Sequence, residues 1–286
     1  MKVSEDVVKL FPPYLQELVR TCLQPAYGDA EEIRCRIGQP ITVLSGGAER
    51  TTGSSAIRSE DLDYLLERAT AFSYHTYADE LSQGFVHTDS GCRIGICGTI
   101  CSGDVRELSS VSVRIARAAI DCAKPVLPEL LSDGLASTLI VSPPGGGKTT
   151  FLRDLIRLLS LRGYRVSVAD ERGELAAMHR REPQFDLGPH TDVMRFGTKH
   201  QACMMLLRAM NPQVIALDEI TAEEDIDAAM YASGCGVALL ATAHAANVDS
   251  LGQRPLYRKL LKERIFRRAV EIALENGIRQ YRVVAL

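Results

Sequence analysis

The chain has 286 residues, of which 46% are hydrophobic and 24% charged, proportions that exclude wholesale disorder. Its 33 Lys and Arg and 36 Asp and Glu residues give a net charge of −3, so the whole molecule lacks the positive field of a dedicated nucleic-acid-binding protein. The length favours two domains.

The eight cysteines form no CxxC pair and match no zinc-module spacing. The first ten residues are half polar and predict the start of a helix rather than a secretion signal. We therefore expect a reduced, cytoplasmic protein. The most apolar run, residues 237–243, has the length of a buried strand, and no run reaches the ~18–20 residues of a membrane span.

The first part of the chain mixes helical and strand patterns, which predicts an α+β domain over residues 1–124. A linker is expected over 125–136, where Pro125, Pro128 and Gly134 interrupt regular structure. The predicted helices are residues 4–11, 14–23 and 60–71. The predicted strands are residues 33–37, 41–44, 84–88, 92–100 and 109–115, with a hairpin turn at Asp89, Ser90 and Gly91.

From residue 137 onwards, short apolar runs alternate with helical stretches. This rhythm predicts a second domain over 137–286, an α/β fold whose parallel strands are joined by crossover helices. In such sheets ligands bind outside the carboxyl ends of the strands. The apolar runs are residues 139–141, 166–169, 214–217, 237–242 and 281–285.

A glycine-rich segment, residues 142–150 (SPPGGGKTT), lies between the first of these runs and a helix predicted at 149–162. Such a loop turns backbone amides toward phosphate oxygens, its lysine neutralises the outer phosphates, and its hydroxyl holds Mg²⁺. The alternative is a simple glycine-rich turn. Ser142 replaces the first glycine of the pattern GxxxxGK[ST] and is small enough to be tolerated. The expected nucleotide-binding residues are Pro144, Gly145, Gly146, Gly147, Lys148, Thr149 and Thr150, with the hydroxyl of Thr149 also on Mg²⁺.

Polar side chains directly follow three later runs, so the parallel sheet should bring them to one edge. Asp218 is placed to hold Mg²⁺ and Glu219 to polarise the attacking water, with a helix N-cap as the alternative. His244 is placed to hydrogen-bond a γ-phosphate or water, and the alternative is an ordinary strand-end histidine. The remaining cluster consists of Asp170, Glu171 and Glu174, for which capping of a following helix competes with a role in the site.

Together these residues resemble the ATPases that power bacterial secretion and pilus machines, which carry a Walker A loop, an acidic box, a Walker B element and a histidine box in this order. A closer resemblance, to the stage III sporulation protein AA family, covers nearly the whole chain. It is carried by residues 91–98 (GCRIGICG), 109–117 (SSVSVRIAR), 170–174 (DERGE), 212–220 (PQVIALDEI) and 241–244 (ATAH).

The resemblance implies an ATP-hydrolysing motor on the mother-cell side of sporulating bacteria that energises a transenvelope channel to the forespore. It also implies a hexamer, membrane-embedded partners from the same channel and a cytoplasmic location peripheral to the membrane. By this resemblance Glu171 and Glu174 belong to the acidic box near the metal and water, Glu219 to the catalytic position of the Walker B element, and His244 to the histidine box. Together with Lys148 of the loop, these are the expected catalytic residues.

Arg93 and Arg114 resemble the arginines with which the amino-terminal domain of such motors reaches the nucleotide, and Arg117 is a less certain third. The alternative is that they are solvated strand arginines. The chain departs from the family pattern at Ser142, at residues 220–222 (ITA), where Ile-Gly-Arg is usual, and at Ala245, which replaces a glycine. The second departure would remove an interfacial arginine.

Two further segments have competing interpretations. Residues 254–268 carry seven basic residues and one acidic residue, which predicts a solvated helix, with contact to anionic lipid or an acidic partner as the alternative. Met204, Met205 and Met210 are expected in the core rather than on a binding surface.

The sequence therefore predicts a RecA-like P-loop ATPase core with a smaller α+β amino-terminal domain, binding ATP and Mg²⁺ and forming a homo-oligomer. One alternative is a nucleic-acid-binding P-loop motor, against which the negative net charge and the lack of a basic stripe interleaved with aromatic residues argue. The other is a nucleotide-dependent scaffold that hydrolyses too slowly to act as a motor.

Overall fold

The computed structural model describes residues 2–24, 30–88, 90–101, 104–115, 119–178, 181–195, 197–275 and 278–286. The chain divides into two compact units. The first comprises Met1–Arg117 with Ala177–Gln184, and the second comprises Ala118–Ala176 with Phe185–Leu286.

The first unit contains an antiparallel sheet of six strands in the order β3-β2-β1-β6-β5-β4. Its strands are β1 (Ala30–Arg36), β2 (Ile41–Ser45), β3 (Ala48–Thr52), β4 (Phe85–His87), β5 (Arg93–Cys101) and β6 (Asp104–Arg114). Its helices are α1 (Lys2–Lys9), α2 (Pro13–Cys22), α3 (Ser59–Ala69) and α4 (Ala78–Ser82), with a 3₁₀ turn at Tyr74–Tyr77.

The apolar side chains that alternate along β1, together with Ile94 of β5, line the buried face of this sheet. Ile33, Ile94 and Leu62 of α3 are fully buried in one apolar cluster. No sequence pattern predicts β3, whose five residues AERTT are mostly polar and exposed at the edge of the sheet. An edge strand pairs through its backbone on one side and needs no apolar pattern.

The second unit is built on a seven-stranded sheet in the order β13-β12-β7-β11-β10-β8-β9, parallel except for β13. Its strands are β7 (Thr138–Ser142), β8 (Val166–Asp170), β9 (Thr191–Arg195), β10 (Val214–Glu219), β11 (Ala238–His244), β12 (Arg268–Glu275) and β13 (Ile278–Ala285). Its helices are α5 (Leu127–Leu130), α6 (Lys148–Leu161), α7 (Lys199–Ala209), α8 (Glu223–Gly234), α9 (Val248–Leu251) and α10 (Pro255–Lys262).

The predicted fold class is confirmed: a mostly parallel sheet flanked by helices is accompanied by an antiparallel amino-terminal sheet. Strands β7, β8, β10 and β11 coincide with the first four of the five predicted apolar runs, and almost all of their residues are buried. The fifth run, residues 281–285, lies in β13, which is antiparallel to β12 and mostly exposed rather than a parallel strand. The expected linker, residues 125–136, carries α5 and groups with the second unit. Among the described residues, none of the helices combines the length and the apolar composition needed to cross a bilayer.

Two expectations are wrong. The basic run 254–268 is not one helix: α10 ends at Lys262, Arg264 takes a left-handed φ of 51°, and Arg268 begins β12, where it is held by Leu130 O and Asp133.

The three methionines of α7 and its end, Met204, Met205 and Met210, do not lie in the core. Met205 and Met210 are 57% and 39% exposed, because the buried face of α7 is formed by Ala202, Cys203 and Leu206.

Candidate functional site

The glycine-rich loop leaves the end of β7 and leads directly into α6. Gly145 and Gly147 have φ values of 73° and 96°, in the region that disfavours side chains. A Cβ at Gly146 would collide with Ser142 Oγ, so residue 146 must be glycine. The serine at the first position of the loop fits because Gly146, which contacts it, has no side chain. The first backbone N–H groups of a helix lack intrahelical acceptors, which makes this end of α6 suited to an anion.

Lys148, the first residue of α6, lies beneath the loop and is 6% exposed. Its ammonium donates hydrogen bonds to Ser142 O (3.0 Å), Pro143 O (3.1 Å) and His244 Nδ1 (2.9 Å). Burial lowers the pKa of Lys148, while the negative charges of Glu219 and Asp218 act in the opposite direction.

His244 joins Lys148 to Glu219. Because an ammonium can only donate, Nδ1 must accept the hydrogen bond from Lys148, which leaves Nε2–H to donate to Glu219 Oε2 at 2.9 Å. Burial and the charge of Lys148 both lower the pKa of His244 below its usual value of about 6.5. The ring is therefore neutral near pH 7, with its tautomer set by these two contacts.

The sheet order explains why these three residues meet. Strand β11 lies between β7 and β10, and His244 is the register partner of Ser142, while Thr242 is the partner of Glu219. Their carboxyl ends therefore meet at one edge of the sheet, as the sequence predicts.

Asp218 lies at the same edge and is 4% exposed. Burial, together with the negative charges of Glu174 and Asp170, raises its pKa to about 7. A cation near this carboxyl would favour its ionised form. Within the described ranges, no group of three or more His, Cys, Asp or Glu side chains is arranged to hold a metal ion without other ligands.

The acidic segment after β8 has a structural function in this molecule. Asp170 is fully buried and accepts hydrogen bonds from Leu175 N (3.1 Å) and Ala176 N (2.8 Å). It therefore closes a turn, and the described residues 171–178 form no helix for it to cap, which removes the capping alternative for Asp170. The side chain of Glu174 is near enough to Asp218 to affect its pKa, while its backbone oxygen accepts from Arg153 at 2.7 Å.

Glu171 forms an ion pair with Lys199 Nζ at 2.7 Å, and the same ammonium lies 3.3 Å from Asp225 Oδ2. Lys199 and Asp225 are 3% and 5% exposed. Burial acts to lower the pKa of Lys199, but the two carboxylates outweigh it and raise that pKa. Glu171 is thus attached to the start of α7, and Lys199 is a residue that the sequence pattern did not single out.

Arg153 of α6 also escaped the sequence analysis, because it stands on a helix face with no motif. Its Nε donates to Leu175 O at 2.9 Å, and its guanidinium stacks over the Phe185 ring at 3.4 Å from the centroid. Burial lowers its pKa to about 10. The side chain ties the helix that follows the glycine-rich loop to the acidic segment.

Residues 220–222 lead into α8. Thr221 N and Ala222 N donate to Asp225 Oδ2 at 2.8 and 3.1 Å, forming the N-terminal cap of the helix. Ile220 is fully buried, and its carbonyl accepts from Tyr257 Oη at 3.1 Å. Ala245 is 8% exposed, and its N–H donates to Ser142 O at 3.3 Å.

Arg93 and Arg114 lie on the sheet of the first unit. They are register partners across β5 and β6, so their side chains share a face. Arg114 Nε donates to Glu32 Oε2 at 3.3 Å, and the Arg93 guanidinium lies 4.1 Å from the centre of the Phe85 ring. Arg117 lies outside the described residues. That these arginines bind nucleotide stays a prediction.

Comparison with known proteins places the chain in a family. The model of the family described as "Sporulation stage III, protein AA" matches residues 1–284. Stage III sporulation protein AA of Bacillus subtilis (strain 168) is 32% identical over 282 residues, which cover 95% of this chain and 92% of that protein.

Two solved structures share the fold. The ATPase DotB of Yersinia pseudotuberculosis superposes with a TM-score of 0.64 at 14% identity, covering 96% of this chain and 79% of that one. The pilus retraction motor PilT with bound ADP gives 0.61 at 17% identity, covering 90% and 79%. At these identities the likeness establishes the fold.

Proposed function

The chain belongs to the Sporulation stage III, protein AA family, and on that premise we propose that it is a Mg²⁺-dependent ATPase that acts as a motor of the secretion-ATPase type. The observation that carries the proposal is the contact chain from Lys148 through His244 to Glu219 beside a glycine-rich loop. Support also comes from the fold that it shares with PilT, whose structure contains ADP.

Binding is assigned to the loop and the start of α6. The amides of residues 145–150 and the ammonium of Lys148 hold the β- and γ-phosphates of ATP. In this structure the ammonium is bound to the carbonyl oxygens of Ser142 and Pro143, at 3.0 and 3.1 Å. Phosphate oxygens are stronger acceptors for a cation than neutral carbonyls, so the exchange favours the nucleotide complex.

Mg²⁺ fits the oxygen donors present at the edge of the sheet. Thr149 Oγ1 and the carboxyl of Asp218 would hold the ion together with phosphate oxygens, because Mg²⁺ binds through one or two protein ligands and substrate phosphates. When bound, the ion neutralises charge on the phosphates and also favours the ionised form of Asp218.

Glu219 positions the attacking water, and His244 orients Glu219. The Nε2–H of His244 occupies one carboxylate oxygen at 2.9 Å and leaves the other for a water molecule. Loss of the γ-phosphate changes the partners of Lys148 and thereby the partners of His244, so the ring senses hydrolysis. Glu174 shapes the electrostatics at Asp218, and Glu171 acts through Lys199.

The proposed assembly is based on the resemblance to the family, since the structure contains a single chain. We propose a homohexamer in which Arg93 and Arg114 reach nucleotide, peripheral to a membrane-embedded sporulation channel that joins mother cell and forespore. Cytoplasmic location and membrane contact through residues 254–268 belong to the same proposal.

The proposal is tested by steady-state ATPase activity with Mg²⁺ and by native mass measurement with and without a non-hydrolysable ATP analogue. We expect Lys148-dependent turnover and assembly from monomer to hexamer on addition of the analogue. Wild-type turnover no higher than that of a Lys148→Ala variant would refute the proposed ATPase activity. Binding of nucleotide without turnover would favour a nucleotide-dependent scaffold.

A further inference from the structure

The carboxy-terminal hairpin ends beside the glycine-rich loop. Strand β12 is parallel to β7 and its neighbour on the side opposite β11, and β13 returns antiparallel to β12. The last register pair of this hairpin, Glu275 with Ile278, therefore lies at the same edge of the sheet as the loop after Ser142.

One side chain from this hairpin contacts the loop. Arg279 Nε donates to Gly146 O at 3.2 Å, and a Cβ added at Gly147 would stand 2.9 Å from the same nitrogen. Arg279 is otherwise exposed. The backbone of the loop and a guanidinium thus lie in direct contact at the surface.

The same face of the hairpin offers an apolar surface next to this cation. Leu274 is the register partner of Arg279 and is 66% exposed. Register partners in an antiparallel pair project from the same face of the sheet. Tyr281, two residues after Arg279, lies on that face too and contacts Phe151 of α6 with 5.0 Å between ring centroids. The face is therefore the one that borders α6.

The direction of a bound nucleotide follows from the proposed function, on which this step rests. Glu219 and His244 stand on the β11 side of β7, so the terminal phosphate must lie on that side for the water to reach it. The remaining part of the molecule, the α-phosphate and the nucleoside, then extends from the loop toward the opposite side. That side is occupied by strands β12 and β13.

We propose that Leu274 and Arg279, on one face of this hairpin, form the nucleoside subsite, in which Arg279 pairs with the phosphate nearest the ribose and Leu274 packs against the ribose and base. The ligand class is a nucleoside di- or triphosphate. A guanidinium already bound to a loop carbonyl exchanges it for a phosphate oxygen, which is the stronger partner. An exposed leucine beside it gains by being covered by the sugar and base.

Arg282 is a matched control on the same strand. Its guanidinium pairs with Glu271, its register partner, on the other face of the hairpin. An Arg282→Gln variant removes one positive charge from β13, as Arg279→Ala does, but leaves the proposed subsite unchanged.

The test is equilibrium binding of ADP and of inorganic tripolyphosphate to the full-length wild type, Arg279→Ala, Leu274→Ser, Arg282→Gln and Lys148→Ala, with thermal unfolding midpoints to verify folding. We expect Arg279→Ala to weaken ADP binding roughly tenfold or more, as for a lost charged hydrogen bond. Leu274→Ser should weaken ADP binding by roughly fivefold and leave tripolyphosphate binding unchanged, because the lost contact is apolar. Arg282→Gln should match the wild type.

If the wild type and Lys148→Ala bind ADP equally, the proposed function itself is refuted and the subsite with it. If ADP binding requires Lys148 but Arg279→Ala and Leu274→Ser both bind within twofold of the wild type, the subsite alone is refuted.

Discussion

Lys148 Nζ donates a 2.9 Å hydrogen bond to His244 Nδ1, across 96 residues of sequence. The same imidazole donates from Nε2 to Glu219 at 2.9 Å, so a cation and a carboxylate share one neutral ring. Any change in the partners of Lys148 therefore reaches the carboxylate proposed to position water.

Lys148→Ala should abolish nucleotide binding, because the loop would lose the ammonium that neutralises the outer phosphates. Binding of a fluorescent ADP derivative measures this effect. Lys262→Ala, which removes an exposed lysine at the end of α10, is the control and should bind as the wild type does. Wild-type affinity in the Lys148 variant would refute the phosphate site.

Glu219→Gln should bind ATP normally and lower turnover by at least about 100-fold, because an amide cannot polarise water as a carboxylate does. Phosphate release under saturating ATP measures turnover. Glu224→Gln alters an exposed glutamate in the first turn of α8 and should leave turnover unchanged. Undiminished turnover in Glu219→Gln would remove this residue from its role.

His244→Asn should change how stability depends on pH. The pKa of His244 is lowered in the folded protein, so below about pH 6.5 the unfolded chain binds a proton that the folded protein does not. The unfolding free energy of the wild type relative to the variant should therefore rise with pH and level off near pH 6.5.

Denaturant unfolding at several pH values from about pH 5 to about pH 8 measures the His244 effect. His75→Asn, at an exposed position of the first unit, is the control. A difference between wild type and His244→Asn that falls as pH rises would contradict the assigned neutral ring.

Lys199→Met should destabilise the fold by about 3 kcal/mol, because it leaves the buried carboxylate of Asp225 without its cation. Chemical denaturation measures the change. Lys259→Met breaks an exposed pair with Glu223 instead and should leave the unfolding free energy nearly unchanged, because water and salt screen the pair. Equal effects of the two substitutions would contradict the structural function assigned to the Lys199 ion pairs.

Asp218→Asn should not destabilise the protein in the absence of nucleotide and Mg²⁺, since it removes the cost of a buried charge beside Glu174 and Asp170. The Mg²⁺ dependence of ATP binding should nevertheless be lost. Thermal unfolding at pH 8 and Mg²⁺ titrations measure the two effects. A variant that unfolds at much lower temperature, with unchanged Mg²⁺ dependence, would show that Asp218 is structural.

Local sequence was sufficient for the glycine-rich loop, for strand β7 that precedes it, and for the three strands that precede polar clusters, β8, β10 and β11. An apolar run of strand length followed by glycines and a lysine is a local signal, because the backbone must turn at that point whatever packs around it. The polar edge strand β3 and the strands β9 and β12 escaped detection. Thr191–Arg195 is mostly polar, and β12 begins with a basic residue that continues the charge run of α10.

The sequence predicted that the polar side chains lie at one edge of the sheet, but only the tertiary structure decided which of them contact one another. The strand order β7-β11-β10-β8 places His244 between Lys148 and Glu219, and no spacing in the chain encodes that order. The same holds for Glu171, which pairs with Lys199, and for Arg279, which reaches Gly146 from the last strand. A strand or a loop is predicted by residues that are adjacent in the sequence. The contacts between side chains depend on how distant strands and helices pack. The sequence therefore predicted the glycine-rich loop, and the tertiary structure decided which side chains lie beside it.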